Sequence, residues 1–423
     1  MALEQGVKGG VWFSLMDKVW SDRNLWCAWC EVAANDGSAG VDHETIAMFE
    51  KDPESRLKVL SEQLRAGTYR PQAVRRVYIP KAGGGERPLG IPTVRDRVVQ
   101  AALRHVLEPI FERDFADHSY GFRPGKGCKD ALRRVDELLK AGYTHVVDAD
   151  LKGYFDSIPH QQLIERVREK VADGQVLKLV EAFLTQGVME GLSQWTPVSG
   201  SPQGAVISPL LSNIYLDPLD HLMGQQGIEM VRYADDFVIL CRNAAEAETA
   251  LDMVRQWTAQ AGLTLHPEKT RVANLSPTAT EGEAFEFLGY RFANERSKSG
   301  ASRITRQPRE KSLAKFKDAI RSKTRRNNGQ SLQVIIASVN RTVKGWYGYF
   351  KHATRAEPRC PDPLERLDQW IRMRLRSILR RRERRPGQGR GPDHRRWPIV
   401  FFSRAGLFSM AEARLLSRQS VIR

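Results

Sequence analysis

Over the first 70 residues apolar positions return at helical spacing, as in Ile46 to Leu60 and Leu57 to Leu64, with a break at Asn35-Asp36-Gly37. From Arg75 to Ile91 the period changes. Val74 to Ile79 alternates like a strand, Lys81 to Arg87 is a glycine-rich turn, and Pro88 to Ile91 resumes an extended run, which predicts a hairpin. Thr93 to Phe115 reads as a helix with apolar residues at Val94, Val98, Ala101 or Ala102, Leu107 and Ile110. Strand and helix signals then alternate: a strand at Thr144 to Asp150, helices at Pro159 to Val171, Leu177 to Phe183 and Ser208 to Met223, a strand-turn-strand at Met230 to Leu240, and a helix at Ala244 to Ala261. A hairpin around Val272 and Phe285 to Phe292 closes this section. Such mixed order predicts an α+β domain built on an antiparallel sheet. Beyond Arg309 the signal is nearly all helix, ending in an arginine-rich segment, Arg380 to Arg396, interrupted by Gly and Pro.

A chain of 423 residues suits two or three packed domains, and with 41% hydrophobic and 27% charged residues it can bury a core. No run approaches the roughly 18 apolar residues that a membrane span needs. Glu4, Asp17 and Asp22 interrupt the N-terminal stretch, so neither a secretory signal nor an acid-poor transit peptide is visible, and a cytoplasmic home with no membrane partner is expected. The five cysteines do not read as a disulfide framework. Cys27 and Cys30 form a CxxC in a Trp-rich, helix-like stretch without a second pair at zinc spacing; packing is the expectation, and metal or redox chemistry the alternative.

Charge is divided unevenly. Residues 1 to 296 hold 34 Lys and Arg against 41 Asp and Glu, whereas the whole chain carries +16, so the remainder carries +23. A half of one sign repels itself unless a polyanion meets it, which makes nucleic acid the first partner to consider and a solvated basic tail the alternative.

Tyr233-Ala234-Asp235-Asp236 is flanked by Met230-Val231 and Phe237-Val238-Ile239-Leu240, so two acids interrupt what would otherwise be buried strands. Carboxylates there are costly unless something compensates them. A turn between strands would bring both to a sheet edge, where a divalent cation keeps them ionised; a plain Asp-Asp hairpin turn is the simpler reading. A second acidic strand end changes that balance. In His145 to Leu151 the alternation places Asp148 and Asp150 on one face, and Lys152-Gly153 breaks the strand. One carboxylate from here with the pair at 235 and 236 makes the oxygen set that two Mg²⁺ ions require, about 4 Å apart, beside a primer 3′-hydroxyl and a nucleotide triphosphate. The reading requires Asp150 to lie within about 10 Å of the other two.

Several further motifs follow in order. Lys81-Ala82-Gly83-Gly84-Gly85-Glu86-Arg87-Pro88-Leu89-Gly90-Ile91 precedes Ser119-Tyr120-Gly121-Phe122-Arg123-Pro124-Gly125, and Gly153-Tyr154-Phe155-Asp156 follows the first acidic strand. Gly200-Ser201-Pro202-Gln203-Gly204, Ser208 to Asn213, Tyr233 to Asp236, His266 to Thr270 and Phe287-Leu288-Gly289-Tyr290 complete the series. From about Leu57 to about Phe350 the chain resembles a group II intron-encoded reverse transcriptase and maturase. The resemblance implies a right-hand polymerase, with an N-terminal helical extension of the fingers at 1–70, fingers and palm with an antiparallel sheet at 71–296, an α-helical thumb or maturase domain at 297–375, and a basic tail at 376–423 that is a candidate DNA-binding element.

The resemblance also implies roles. Asp150, Asp235 and Asp236 would be catalytic and bind Mg²⁺ together with Leu151, Mn²⁺ being able to substitute. Lys81 and Arg87 would grip the incoming triphosphate. Phe155 would exclude a 2′-hydroxyl and so select dNTPs. Gln203, Gly204 and Lys269 would lie at the nucleotide, and Leu288 and Gly289 would form the primer grip. Asp148 and Asp156 are read as non-ligands, and His160 as structural. RNA or DNA contacts are expected from Arg303, Lys311, Lys315, Arg321, Lys323, Arg325, Arg326, Arg341, Lys344, Arg380, Arg381 and Arg382. The partners implied are an RNA template, a DNA or RNA primer, dNTPs, group II intron RNA and target DNA, in a prokaryotic setting. Relatives often end in an HNH endonuclease; Cys360, His352 and His394 are too few for one, so no second-strand nicking is expected. Three rival readings stand beside this one: a related reverse transcriptase in host defence or a CRISPR-associated or diversity-generating system, an RNA-binding maturase without polymerase activity, and a DNA-templated or RNA-making polymerase.

Overall fold

The structure, a computed structural model, describes residues 10–80, 85–191, 193–201, 204–280, 282–296, 301–354, 362–384 and 391–419. Two compact units divide between Asn274 and Leu275.

In the first unit the helix Asp22–Ala34 turns Leu25, Ala28, Trp29 and Val32 inward, against the helix Val94–Glu112. That phase leaves Cys27 and Cys30 exposed, so the packing expected for this pair is not found. Strands β1 (Val74–Pro80) and β2 (Glu86–Ile91) form the predicted hairpin, with Ile79 opposite Arg87. β3 spans His145–Asp150. The three-residue strands β4 (Val188–Glu190) and β5 (Ser193–Trp195), too short to show a period of two, extend the hairpin into a sheet ordered β2-β1-β4-β5. β6 (Glu229–Tyr233), β7 (Asp236–Cys241) and β8 (Arg271–Asn274) join β3 in a wholly antiparallel sheet ordered β6-β7-β3-β8.

The edge position of β8 corrects one expectation: Val272 pairs with Val147 in β3, not with the strands that follow it. Val147, Ala149, Phe237 and Ile239 pack into one core with Leu211 and Leu216 of the helix Ser208–Gln225 and Val254 of the helix Ala244–Gln260. Fully burying an aliphatic or aromatic side chain contributes about 1.5–3 kcal/mol, so these two helices hold the sheet firmly at the end where its acids lie.

The second unit opens with β9 (Ala284–Phe287), β10 (Tyr290–Arg296) and β11 (Ser302–Pro308), ordered β11-β10-β9. Helices Glu310–Lys323, Leu332–Phe350 and Pro363–Arg382 follow. The last of these runs through 375–376, where a tail was expected to begin. It buries Leu364, Leu367, Ile371, Leu375 and Ile378, a stripe at helical spacing, in one core with Trp397, Phe402 and Met410. Among the described residues, Arg380 to Arg382 thus end a core helix and Pro392–Arg396 is helical, and the expected palm boundary at 296 falls at the end of β10.

Candidate active site

β6 and β7 meet through Ala234-Asp235, with Tyr233 opposite Asp236. Ala234 has φ 58°, a left-handed conformation that non-glycine residues rarely hold, and Gly121 lies directly against its amide. The β3–β7 register places Asp150 opposite Asp236. Opposed residues of an antiparallel ladder have Cα atoms about 4.5–5.5 Å apart, well inside the separation that the two-ion reading requires. Acids from two distant segments are thus brought to one end of one sheet.

Their electrostatics is that of a crowded anionic site. Burial, and after it the neighbouring charge of Asp150, raises the Asp235 carboxyl above the ordinary carboxylate range, while Arg87 and Arg232 oppose the shift. The Lys269 ammonium pairs with the Asp150 carboxylate. Lys269 is held there by its turn: the His266 amide donates to the Asp150 carbonyl at 2.7 Å, and Lys152 donates to Thr264 at 2.8 Å. Asp148 faces Arg271, with 3.7 Å between Nε and Oδ2.

Among the described residues no three His, Cys, Asp or Glu side chains close around a metal position as they stand. The donor set nonetheless fits hard divalent cations. It offers carboxylate oxygens from Asp150, Asp235 and Asp236, and it carries a like-charge penalty that a cation would relieve. The Leu151 side chain is a buried hydrocarbon with no ligating atom, so only its backbone carbonyl could contribute.

Phe155 is 9% exposed and packs edge-on against Tyr154 at 5.4 Å. Its carbonyl accepts from Ser201 N at 2.6 Å, and Ile158 O accepts from Gly200 N at 2.8 Å, which ties the glycine-rich loop to the Phe155 segment. Gly200 has φ 91°, and a Cβ there would meet backbone atoms of Phe155 and Asp156 at 2.8 Å. His160 adds a bond from Nε2 to the Gly200 carbonyl at 2.6 Å, a bracing role in line with its structural reading. Gly204, φ 105°, sits against Gly90 of β2. Lys81 and Gln203 lie outside the described residues.

A cleft of about 360 Å³ between these segments is lined by Arg76, Gly90, Asp156, Trp195, Gly200 and Ser201. Arg76 lies over the Trp195 ring at 5.1 Å. Trp195 was not singled out in the sequence, because an aromatic in a three-residue strand gives no pattern.

In the second unit Leu288 (φ 47°) and Gly289 (φ 82°) form the β9–β10 turn, a two-residue loop with both φ positive. Tyr349 Oη donates to Leu288 O at 2.7 Å, while Arg309 N and Ser312 Oγ donate to Gly289 O at 3.0 and 3.2 Å. Trp346 packs 4.7 Å from Phe316 and 4.7 Å from Phe350. Arg303, Lys311, Lys315, Arg321, Arg325, Arg326, Arg341, Lys344, Arg381 and Arg382 are exposed. Lys323 is half-buried on Ser338, and Arg380 pairs at 3.0 Å with the buried Asp393.

An antiparallel sheet ending in three gathered acids, flanked by a basic hairpin and a backbone-pinned glycine loop, is a polymerase palm with its fingers. The chain belongs to the reverse transcriptase (RNA-dependent DNA polymerase) family, which matches residues 79–292, and it carries a group II intron maturase-specific domain at residues 313–397.

Protein YkfC of Escherichia coli K12 is 33% identical over 305 residues, covering 63% of this chain and 78% of that protein. The group II intron-encoded protein LtrA of Lactococcus lactis subsp. cremoris is 42% identical over 173 residues, covering 41% of this chain and 29% of LtrA. A 91 kDa protein in the cob intron of Schizosaccharomyces pombe is 43% identical over 149 residues, covering 35% of this chain and 18% of that protein. The chain thus aligns with most of YkfC but less than a third of either intron protein. Divalent metal ions serve this family, and the two domains together imply nucleic-acid partners such as template and intron RNA. Among the described residues no helix is long and apolar enough to cross a membrane.

Proposed function

We propose that this chain extends a DNA or RNA primer along an RNA template with dNTPs, and that its maturase-type unit binds a group II intron RNA to assist splicing and mobility, target DNA included. The observation that carries the polymerase reading is the β3–β7 register, which sets Asp150 beside the turn bearing Asp235 and Asp236. These three residues, with the Leu151 carbonyl, would hold two Mg²⁺ ions, or Mn²⁺ in their place. When bound, such a pair activates the 3′-hydroxyl and neutralises the departing pyrophosphate.

The chain's own residues do the rest. Arg87 brings a fork of donors toward the triphosphate, and its charge already reaches Asp235. Lys269, paired with Asp150, would meet a nucleotide phosphate from that position. Phe155, backed by Tyr154 and fixed through its carbonyl, leaves no polar partner for a 2′-hydroxyl and so favours dNTPs. Exposed Lys and Arg of the second unit suit an RNA backbone.

The decisive measurement is dTTP incorporation on poly(rA)/oligo(dT) with Mg²⁺, run beside Asp235→Asn. Incorporation by the wild type that disappears in the variant is the expected result. Two inactive proteins that still retain a specific structured RNA on purification would leave a maturase without polymerase activity.

A further inference from the structure

Arg232, on β6 directly after the buried Met230 and Val231, is itself fully buried, as is its partner Asp220 on the helix Ser208–Gln225. Every nitrogen of its guanidinium is engaged. Nε donates to both Asp220 oxygens at 2.8 and 3.0 Å, and Nη2 donates to Asp220 as well. Nη1 donates to Asn213 Oδ1 at 2.9 Å and to the carbonyl of Ala234 at 2.9 Å. Asn213, 1% exposed, passes the chain of bonds on, its Nδ2 donating to Gly121 O at 2.8 Å, and Gly121 is the residue that abuts the Ala234 amide. One buried network therefore bonds the carbonyl of Ala234 and, through Gly121, packs against its amide, and Ala234 is the left-handed residue that carries the chain into Asp235.

Stability alone does not explain this arrangement. A buried ion pair can usually be exchanged for apolar side chains of like volume at little cost, so its stabilising value is small, whereas its directional value is large. Here the direction is specific: of the groups that Arg232 could serve, it serves the carbonyl that sets the orientation of the acid-bearing turn. We propose that Arg232 is a positioning residue of the polymerase reaction, which together with Asp220 and Asn213 fixes the Ala234 carbonyl and so aims the carboxylates of Asp235 and Asp236. The inference rests on the metal-binding role proposed above for those two acids.

The test uses the full-length double variant Arg232→Met/Asp220→Leu, which removes the hold on Ala234 and leaves no buried charge unpaired. Four readouts are compared with wild type: melting temperature, kcat and KM for dTTP on poly(rA)/oligo(dT), Mn²⁺ binding by electron paramagnetic resonance, and hydrogen exchange at residues 233–236. Positioning predicts a near-normal melting temperature, an unchanged KM and a kcat lower by about 100-fold, the loss that a shift of about 1 Å in reacting geometry brings. It also predicts weaker Mn²⁺ binding and faster exchange in the turn. A merely structural pair predicts wild-type kcat and Mn²⁺ binding, and that outcome overturns the proposal.

Should the double variant not fold, Asn213→Ala decides. It leaves the ion pair intact, and it must still lower kcat and Mn²⁺ binding without lowering the folded fraction. Asp235→Asn separates the two levels: if it leaves Mn²⁺ binding intact, the metal reading itself fails; if it abolishes binding while the Arg232 and Asn213 variants behave as wild type, only the positioning role fails.

Discussion

Gly121→Ala is the smallest change that should disable the site. The φ of Gly121 lies outside the left-handed region, so its backbone accepts alanine and only space decides the outcome. An added Cβ would stand 2.2 Å from the Ala234 nitrogen and 2.8 Å from the Tyr233 carbonyl carbon. Both are backbone atoms, with no flexible end to swing away. Ordinary contact begins at 3.4 Å, so the turn and the Gly121 segment must separate by about 1.2 Å. Overpacking of this kind costs about 1–3 kcal/mol of stability. A displacement of about 1 Å at reacting groups costs about 100-fold in rate. The assay is steady-state dTTP incorporation on poly(rA)/oligo(dT), with primer-template affinity measured in parallel and expected to be unchanged. Gly142→Ala is the matched control: Gly142 has φ 91° and no neighbour within 4 Å, so alanine there costs stability through backbone strain and nothing at the turn. A folded Gly121→Ala protein with kcat within twofold of the control would refute the reasoning.

Four other variants have expected outcomes. Because burial and then the Asp150 charge raise the Asp235 carboxyl, the stability tied to its neutral form is fully present below the unfolded pKa and is lost as pH rises through the folded one. Asp235→Asn should therefore raise the melting temperature of the metal-free protein at neutral pH, by an amount that vanishes toward acid, while abolishing incorporation; scanning fluorimetry across pH reads the first effect. Gly289→Ala places a side chain at φ 82° with its nearest neighbour, Ser312 Oγ, at 3.4 Å, so urea titration should show a loss of about 1–2 kcal/mol, attributable to backbone strain. Arg326→Ala should leave stability unchanged and lower the salt slope of RNA binding by about one, whereas Arg380→Ala, which strands the buried Asp393, should destabilise the second unit by on the order of 3 kcal/mol.

The sequence exposed the acidic strand ends because charge interrupts an otherwise apolar alternation there, and the cost of burying that charge needs a cause. The same logic applies to Arg232 within Met230-Val231-Arg232 and to Asp220 beside Leu219, yet neither was singled out. Their partner is visible only once the helix Ser208–Gln225 lies on β6, a contact that no local pattern encodes. Where sequence reading went astray, residue type was used in place of phase. Cysteine is usually buried, but Leu25, Ala28, Trp29 and Val32 set the helix face and turn Cys27 and Cys30 outward. The resemblance implied a basic tail from 376, although Leu364 to Ile378 already carried the apolar stripe of a core helix that runs to Arg382. The strand at Val272 was legible as a strand, but pairing is a tertiary choice, made here by the free edge of β3. A buried polar residue within an apolar run thus marks a site more reliably than its type does, and the two ends of the Arg232–Asp220 pair are where that rule would have added most to the sequence reading.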